Sequence, residues 1–99
     1  MIYANYIEYG ARQKILELRP SHREYMFGLI DQGKAVAAGS FPDDLGGLYL
    51  YQTDSQESAE KFMLDDPYYV GSAIKSYRIT AWEVHGANPA LLTVERQAK

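Results

Sequence analysis

Across residues 15–33, apolar side chains return every three or four positions. Wound at ~100° per residue, Ile15, Leu18, Tyr25, Met26, Leu29 and Ile30 fall on one arc, with Lys14, Glu17, Glu24 and Asp31 opposite. This pattern predicts an amphipathic helix ended by Gly33. Pro20 lies inside it and marks either a kink or the restart of a second helix, because proline removes one hydrogen bond from the helical ladder. His22 sits near the centre of the apolar arc. A ring with two polar nitrogens on a core-facing stripe requires a hydrogen-bond partner, so His22 is expected to be paired.

Elsewhere the period shortens to two. Residues 2–9 are β-branched and aromatic and read as a strand closed by Gly10; residues 34–41 read as a second. An Asp- and Gly-rich turn at 42–47 leads to a third strand at 48–53, with Leu48 and Leu50 on one face and Tyr49 and Tyr51 on the other. Ser55 opens a second helix, with Glu57 and Glu60 near its start and Ala59, Phe62 and Met63 on its buried side. Residues 74–84 form a last strand in which Tyr77, Ile79 and Ala81 alternate with Arg78, Thr80, Trp82 and Val84.

The order βαββαβ predicts an α+β, ferredoxin-like domain: a four-stranded antiparallel sheet with two helices on one face. Two helices cover only one face, yet the third and fourth strands carry large apolar groups on both. A homodimer with facing sheets is therefore expected. The domain is assigned to residues 1–85. Residues 86–99 form a tail in which Leu91, Leu92 and Val94 suit a short extra strand or docking on a neighbouring subunit.

Composition narrows the function. A net charge of −3 with scattered Lys and Arg argues against nucleic acid as the main partner. The absence of cysteine removes disulfides, a thiolate nucleophile and Cys-ligated metal. No run approaches ~18 apolar residues and no basic segment precedes an apolar core, so a cytoplasmic protein without a membrane partner is expected. Nine tyrosines in 99 residues supply amphipathic ring surface suited to a ligand pocket or a subunit interface.

Two constellations carry candidate chemistry. Arg19 lies three residues before His22, on the same helix surface, where a guanidinium can hold an anionic group. His22 can exchange a proton near neutral pH, given a second group to fix its tautomer, and Asp66 is the partner chosen. Asp66 followed by Pro67 is also a good helix start, so its residue type has a structural explanation beside the chemical one. Ser40 suits a hydrogen bond to a ligand or to its own turn. Asp43 and Asp44 read as turn formers, Asp65 as an exposed cap and His85 as a surface residue. Gly46-Gly47 reads as a tight turn and no nucleotide loop. Two distant histidines make no metal site, and no cofactor is expected.

Arg19-Pro20-Ser21-His22, Gly33, Ala38-Gly39-Ser40 and Asp66-Pro67-Tyr68 together resemble the YciI-like family, in the same order of elements from residue 2 to residue 84. The resemblance implies a ferredoxin-like fold pairing into a dimeric α+β barrel, and a pocket with a catalytic His and Asp pair. Those roles fall on His22 and Asp66, with Arg19 at the family's nearby arginine. Many relatives have Gly-Pro where this chain has Gly39-Ser40, which alters that pocket edge.

The expected function is a cofactor-independent enzyme acting by proton transfer, of elimination or isomerisation type, on a small polar or aromatic metabolite. Arg19 or Ser40 would hold the substrate's oxygen or carboxylate. The alternatives are a non-catalytic small-molecule binding or accessory module with the same pocket, and a purely structural dimer.

Overall fold

The structure is a computed structural model in which residues 1–94 are described. Strand β1 (Ile2–Tyr9) leads to helix α1 (Arg12–Asp31), then β2 (Ala35–Ser40), β3 (Gly46–Gln52), α2 (Gln56–Leu64), the one-turn helix α3 (Pro67–Val70) and β4 (Ile74–Trp82). The strands form one antiparallel sheet in the order β2-β3-β1-β4, which is the ferredoxin-like arrangement.

Helix α1 runs through Pro20 without restarting. Its buried side is Ile15, His22, Met26 and Leu29, with Leu18, Tyr25 and Ile30 packed on the same core. The chain leaves the helix through Gly33, whose φ of 74° favours glycine. Helix α2 starts at Ser55, whose side chain accepts from the Ser58 amide, and buries Ala59 and Met63.

Register decides which side chains meet. On β1, Tyr3, Asn5, Ile7 and Tyr9 face the helices. Asn5 lies opposite Tyr49 on β3 and Ile79 on β4, and Tyr3 opposite Tyr51 and Ala81. Tyr49 and Tyr51 therefore sit under the helices, while Leu48 and Leu50 turn to the open face. There Tyr6 leans on Phe41, and Tyr6, Leu48 and Trp82 remain exposed.

Two expectations change. Gly46 and Gly47 are not a turn but the first residues of β3, paired with Glu8 and Ile7 of β1. The turn before them is a 3₁₀ segment at Pro42–Asp44, where Asp43 and Asp44 adopt positive φ. Residues 86–94 form no strand: Pro89–Leu91 make a 3₁₀ turn, and Leu91, Leu92 and Val94 are exposed.

Candidate functional site

The site grows from the α2–α3 junction. Leu64 ends α2, and Asp66 takes an extended backbone conformation that makes it the N-cap of α3. Its Oδ1 accepts the Tyr68 amide at 2.9 Å. The same carboxylate accepts from His22 Nδ1, at 2.8 Å to Oδ1 and 3.0 Å to Oδ2. The structural and chemical explanations of Asp66 thus hold together, since one fully buried carboxylate caps a helix and pairs with the imidazole.

A carboxylate only accepts, so the ring hydrogen is assigned to Nδ1 and Nε2 is left with its lone pair. That lone pair faces the Tyr49 hydroxyl at 3.2 Å, which in turn meets the Tyr9 hydroxyl at 2.8 Å. Tyr68 lies flat against the imidazole, with ring centroids 3.9 Å apart and planes 9° from parallel. Four elements, α1, α3, β1 and β3, therefore hold one continuous polar chain: Asp66, His22, Tyr49, Tyr9.

Burial keeps these tyrosines protonated. It pushes the Tyr9 hydroxyl up from 10.0 to about 12, opposed in part by the hydrogen bond to Tyr49. Tyr49 is raised further, again by loss of water, reinforced by Tyr9 and the Asp66 charge. Burial raises Tyr68 as well, and the Arg19 guanidinium works against it.

A cavity of about 230 Å³ opens beside this chain. Tyr9, His22, Tyr49 and Tyr68 form its polar wall; Met26, Phe27 and Ile30 form an apolar one. Ser40 and Gly39 stand at its edge, where Gly-Pro would have removed a hydroxyl and a backbone donor. Arg19 reaches the same cavity but is committed to Asp44 at 2.6 Å, with the Tyr68 hydroxyl at 3.5 Å. Asp44, read from sequence as a turn former, thus also neutralises the candidate anion-binding arginine. Arg23 is a second guanidinium on the cavity wall.

The structure brings His22, Asp66, Arg19 and Ser40 to one place. Sequence reasoning missed Tyr9, Tyr49, Tyr68, Arg23 and Gly47 as parts of it. The available signal was strand parity, which had already put Tyr49 and Tyr51 on one face. Gly47 belongs here because a Cβ at that position would come within 2.7 Å of the Tyr9 hydroxyl and 3.0 Å of the Tyr49 ring. Among the described residues, no three His, Cys, Asp or Glu side chains come together to hold a metal ion. Among the same residues, no helix is long and apolar enough to cross a membrane.

The family model of the YCII-related domain matches residues 1–83. The chain belongs to the YCII-related domain family. Among solved structures, this YCII-related domain is similar to 5-chloro-2-hydroxyhydroquinone dehydrochlorinase from Burkholderia phenoliruptrix AC1100, in complex with 2,5-dihydroxybenzoquinone. The two superimpose with a TM-score of 0.74 at 18% identity, over 87% of this chain and 96% of that one. At that identity the likeness concerns the fold. None of the curated proteins matches the chain.

Proposed function

We propose that this YCII-related domain is a cofactor-independent enzyme that moves a proton on a small polar or aromatic metabolite, in an elimination or isomerisation. The observation that carries this reading is the buried Asp66–His22 pair, whose second ring nitrogen meets the Tyr49 hydroxyl and whose imidazole is part of the wall of a tyrosine-lined cavity. His22 is the acid or base, and Asp66 fixes its tautomer and balances the imidazolium charge. Ser40, the Arg23 guanidinium and the Arg19 N–H groups not taken by Asp44 and Tyr68 hold the substrate's oxygen or carboxylate. The family and a fold neighbour that is a dehydrochlorinase in complex with a quinone support this class of substrate.

The proposed active unit is a homodimer, since the open sheet face leaves Tyr6, Leu48 and Trp82 exposed together. Sedimentation velocity at micromolar concentration should give twice the chain mass; a monomer would remove the dimer from the proposal.

Turnover is tested first with 5-chloro-2-hydroxyhydroquinone, following chloride release, and then with a metabolite extract screened by thermal shift. His22→Gln should abolish the reaction of any substrate found. Full turnover by that variant would end the proton-transfer reading. The second reading is a binding module, favoured by the hydrogen bond that already engages Nε2 with the Tyr49 hydroxyl. It expects the bound ligand to be recovered unchanged.

A further inference from the structure

The His22 nitrogen that would do the chemistry already has a hydrogen-bond partner in the protein. An imidazole lone pair lies in the ring plane and has one direction, and here the Tyr49 hydroxyl occupies it at 3.2 Å. Tyr68 covers one ring face, and Asp66 takes the other nitrogen. Tyr49 cannot easily step aside: it is 1% exposed, and its position on β3 is fixed by pairing with Asn5 of β1.

We propose that Tyr49 and Tyr9 form a two-hydroxyl relay through which His22 exchanges its proton with a substrate in the cavity, Tyr9 being the hydroxyl that touches the substrate. The inference rests on the proton-transfer reading above and adds two residues to it. Hydroxyl counting fixes the resting arrangement. Each tyrosine has one hydrogen. With Nδ1 donating to Asp66, Tyr49 donates to Nε2, and Tyr9 must then donate to Tyr49. That leaves the Tyr9 oxygen with unused lone pairs, and because Tyr9 lines the cavity they are the ones assigned to accept from a substrate X–H group.

The transfer balances without a tyrosinate at its end. The substrate's proton passes to the Tyr9 oxygen as the Tyr9 proton passes to Tyr49 and the Tyr49 proton to Nε2. Two neutral hydroxyls, an imidazolium paired with Asp66 and a substrate anion remain. In reverse, Nε2–H donates to Tyr49, Tyr49 to Tyr9, and Tyr9 protonates the substrate. Gly47 is built into the device: only a residue without Cβ lets the Tyr9 hydroxyl and the Tyr49 ring close on each other.

The test uses the whole protein, with the exchange of the His22 Nε2–H with water measured by 15N-edited NMR under conditions where both ring nitrogens are protonated. His85, the second histidine and exposed, is the internal reference. A relay predicts that Tyr9→Phe, which leaves every direct contact of His22 in place, slows this exchange by about a hundredfold, at the lower end of what a proton-transfer group contributes. If the tyrosines merely cover the imidazole, exchange is unchanged or faster, and the relay is overturned. Should Tyr9→Phe fail to fold, Tyr49→Phe is measured in its place and must show the same slowing. A kinetic arm uses 5-chloro-2-hydroxyhydroquinone: Tyr9→Phe should lower kcat with KM little changed, and an unchanged kcat counts against the relay. If wild-type protein does not turn this compound over, that arm bears on the proposed substrate, while the exchange measurement still decides the relay.

Discussion

Two polar clusters are buried side by side on the same face of the sheet, and they end differently. In one, Asn5 donates to the Tyr51 hydroxyl at 3.1 Å and to the Met63 sulfur at 3.0 Å, and its Oδ1 is the one buried side-chain polar atom without a partner among the described residues. In the other, the chain Asp66–His22–Tyr49–Tyr9 is satisfied at each step and runs out into a cavity. Asn5 and Tyr49 are partners across β1 and β3, so the clusters share one row of the sheet. Burial of polar groups therefore does not separate them. What separates them is that one chain terminates in packed side chains and the other at a space that a ligand can enter, so only the second can pass a proton to anything.

The largest difference between the clusters should appear when Asp66 is removed. Asp66→Ala deletes the α3 N-cap and leaves the buried His22 Nδ1–H without a partner, which together cost about 3 kcal/mol. A Tm drop of about 15 °C is expected for a domain of this size. Asp66→Asn is the informative companion. Its amide oxygen can still accept both the Tyr68 amide and Nδ1, as Oδ1 does now. It should hold the fold within about 1 kcal/mol while turnover falls by about two orders of magnitude, because the imidazolium loses its counter-charge. Equal losses of stability and rate in both variants would make Asp66 a structural cap alone.

Alkaline pH should strain both clusters next, the closed one through Tyr51, whose hydroxyl is also raised by burial, and the open one through Tyr9 and Tyr49. Unfolded tyrosines ionise near 10.0, whereas folded Tyr9 holds its proton to about 12 and Tyr49 beyond that. The folded chain thus binds more protons over this interval. Stability is intact below the unfolded value and falls as pH rises through the folded one, by about 1.4 kcal/mol per pH unit for each such tyrosine. Urea denaturation at a series of pH values from 9 to about 11 measures the slope, and Tyr9→Phe should make it shallower. An unchanged slope in that variant would mean that Tyr9 is not protected as the geometry implies.

Much of this was legible in the residues. The 3.6-residue pattern around His22 and the alternation of β1, β3 and β4 set the helices, the strands and the buried histidine. The pairing with Asp66 spans 44 positions. It followed from a chemical requirement, that a core imidazole needs a partner, together with a family resemblance rather than from local pattern. What stayed hidden depends on register. Leu48-Tyr49-Leu50-Tyr51 shows two faces, but which one lies under the helices is decided by pairing with β1. The Arg19–Asp44 ion pair depends on positive-φ residues in a turn, a geometry that alternation does not encode. Gly47 looked like turn punctuation for the same reason: its neighbours Tyr9 and Tyr49 arrive only when β1 and β3 are aligned.

Gly47→Ala sharpens the comparison at intermediate cost. The new methyl would lie 2.7 Å from the Tyr9 hydroxyl and 2.7 Å from the Gly39 carbonyl oxygen, so strands or side chains must shift. Overpacking of this kind costs about 1–3 kcal/mol. The damage should be confined to one cluster, moving the His22 ring nitrogen resonances while leaving the Asn5 side-chain amide signals where they are. If both sets move alike, the two clusters are mechanically one unit.

The smallest effect is expected where the comparison is most exposed to refutation. Replacing a buried hydrogen-bonded pair by apolar groups of similar shape is nearly neutral when both partners go together, whereas removing one leaves the other unsatisfied. Asn5→Leu alone strands the Tyr51 hydroxyl, and Tyr51→Phe alone leaves the Asn5 amide with only the weakly accepting Met63 sulfur, so each should destabilise by about 1–2 kcal/mol. The double variant Asn5→Leu/Tyr51→Phe removes the donor, its acceptor and the orphaned Oδ1 at once, and should return within about 1 kcal/mol of wild type. The His22 ring-nitrogen resonances and any turnover should be unchanged in it, because no member of this cluster hydrogen-bonds to the imidazole or lines the cavity. A loss of activity at preserved stability would show that the closed cluster communicates with the open one through the shared Asn5–Tyr49 row, and the division drawn between them would have to be abandoned.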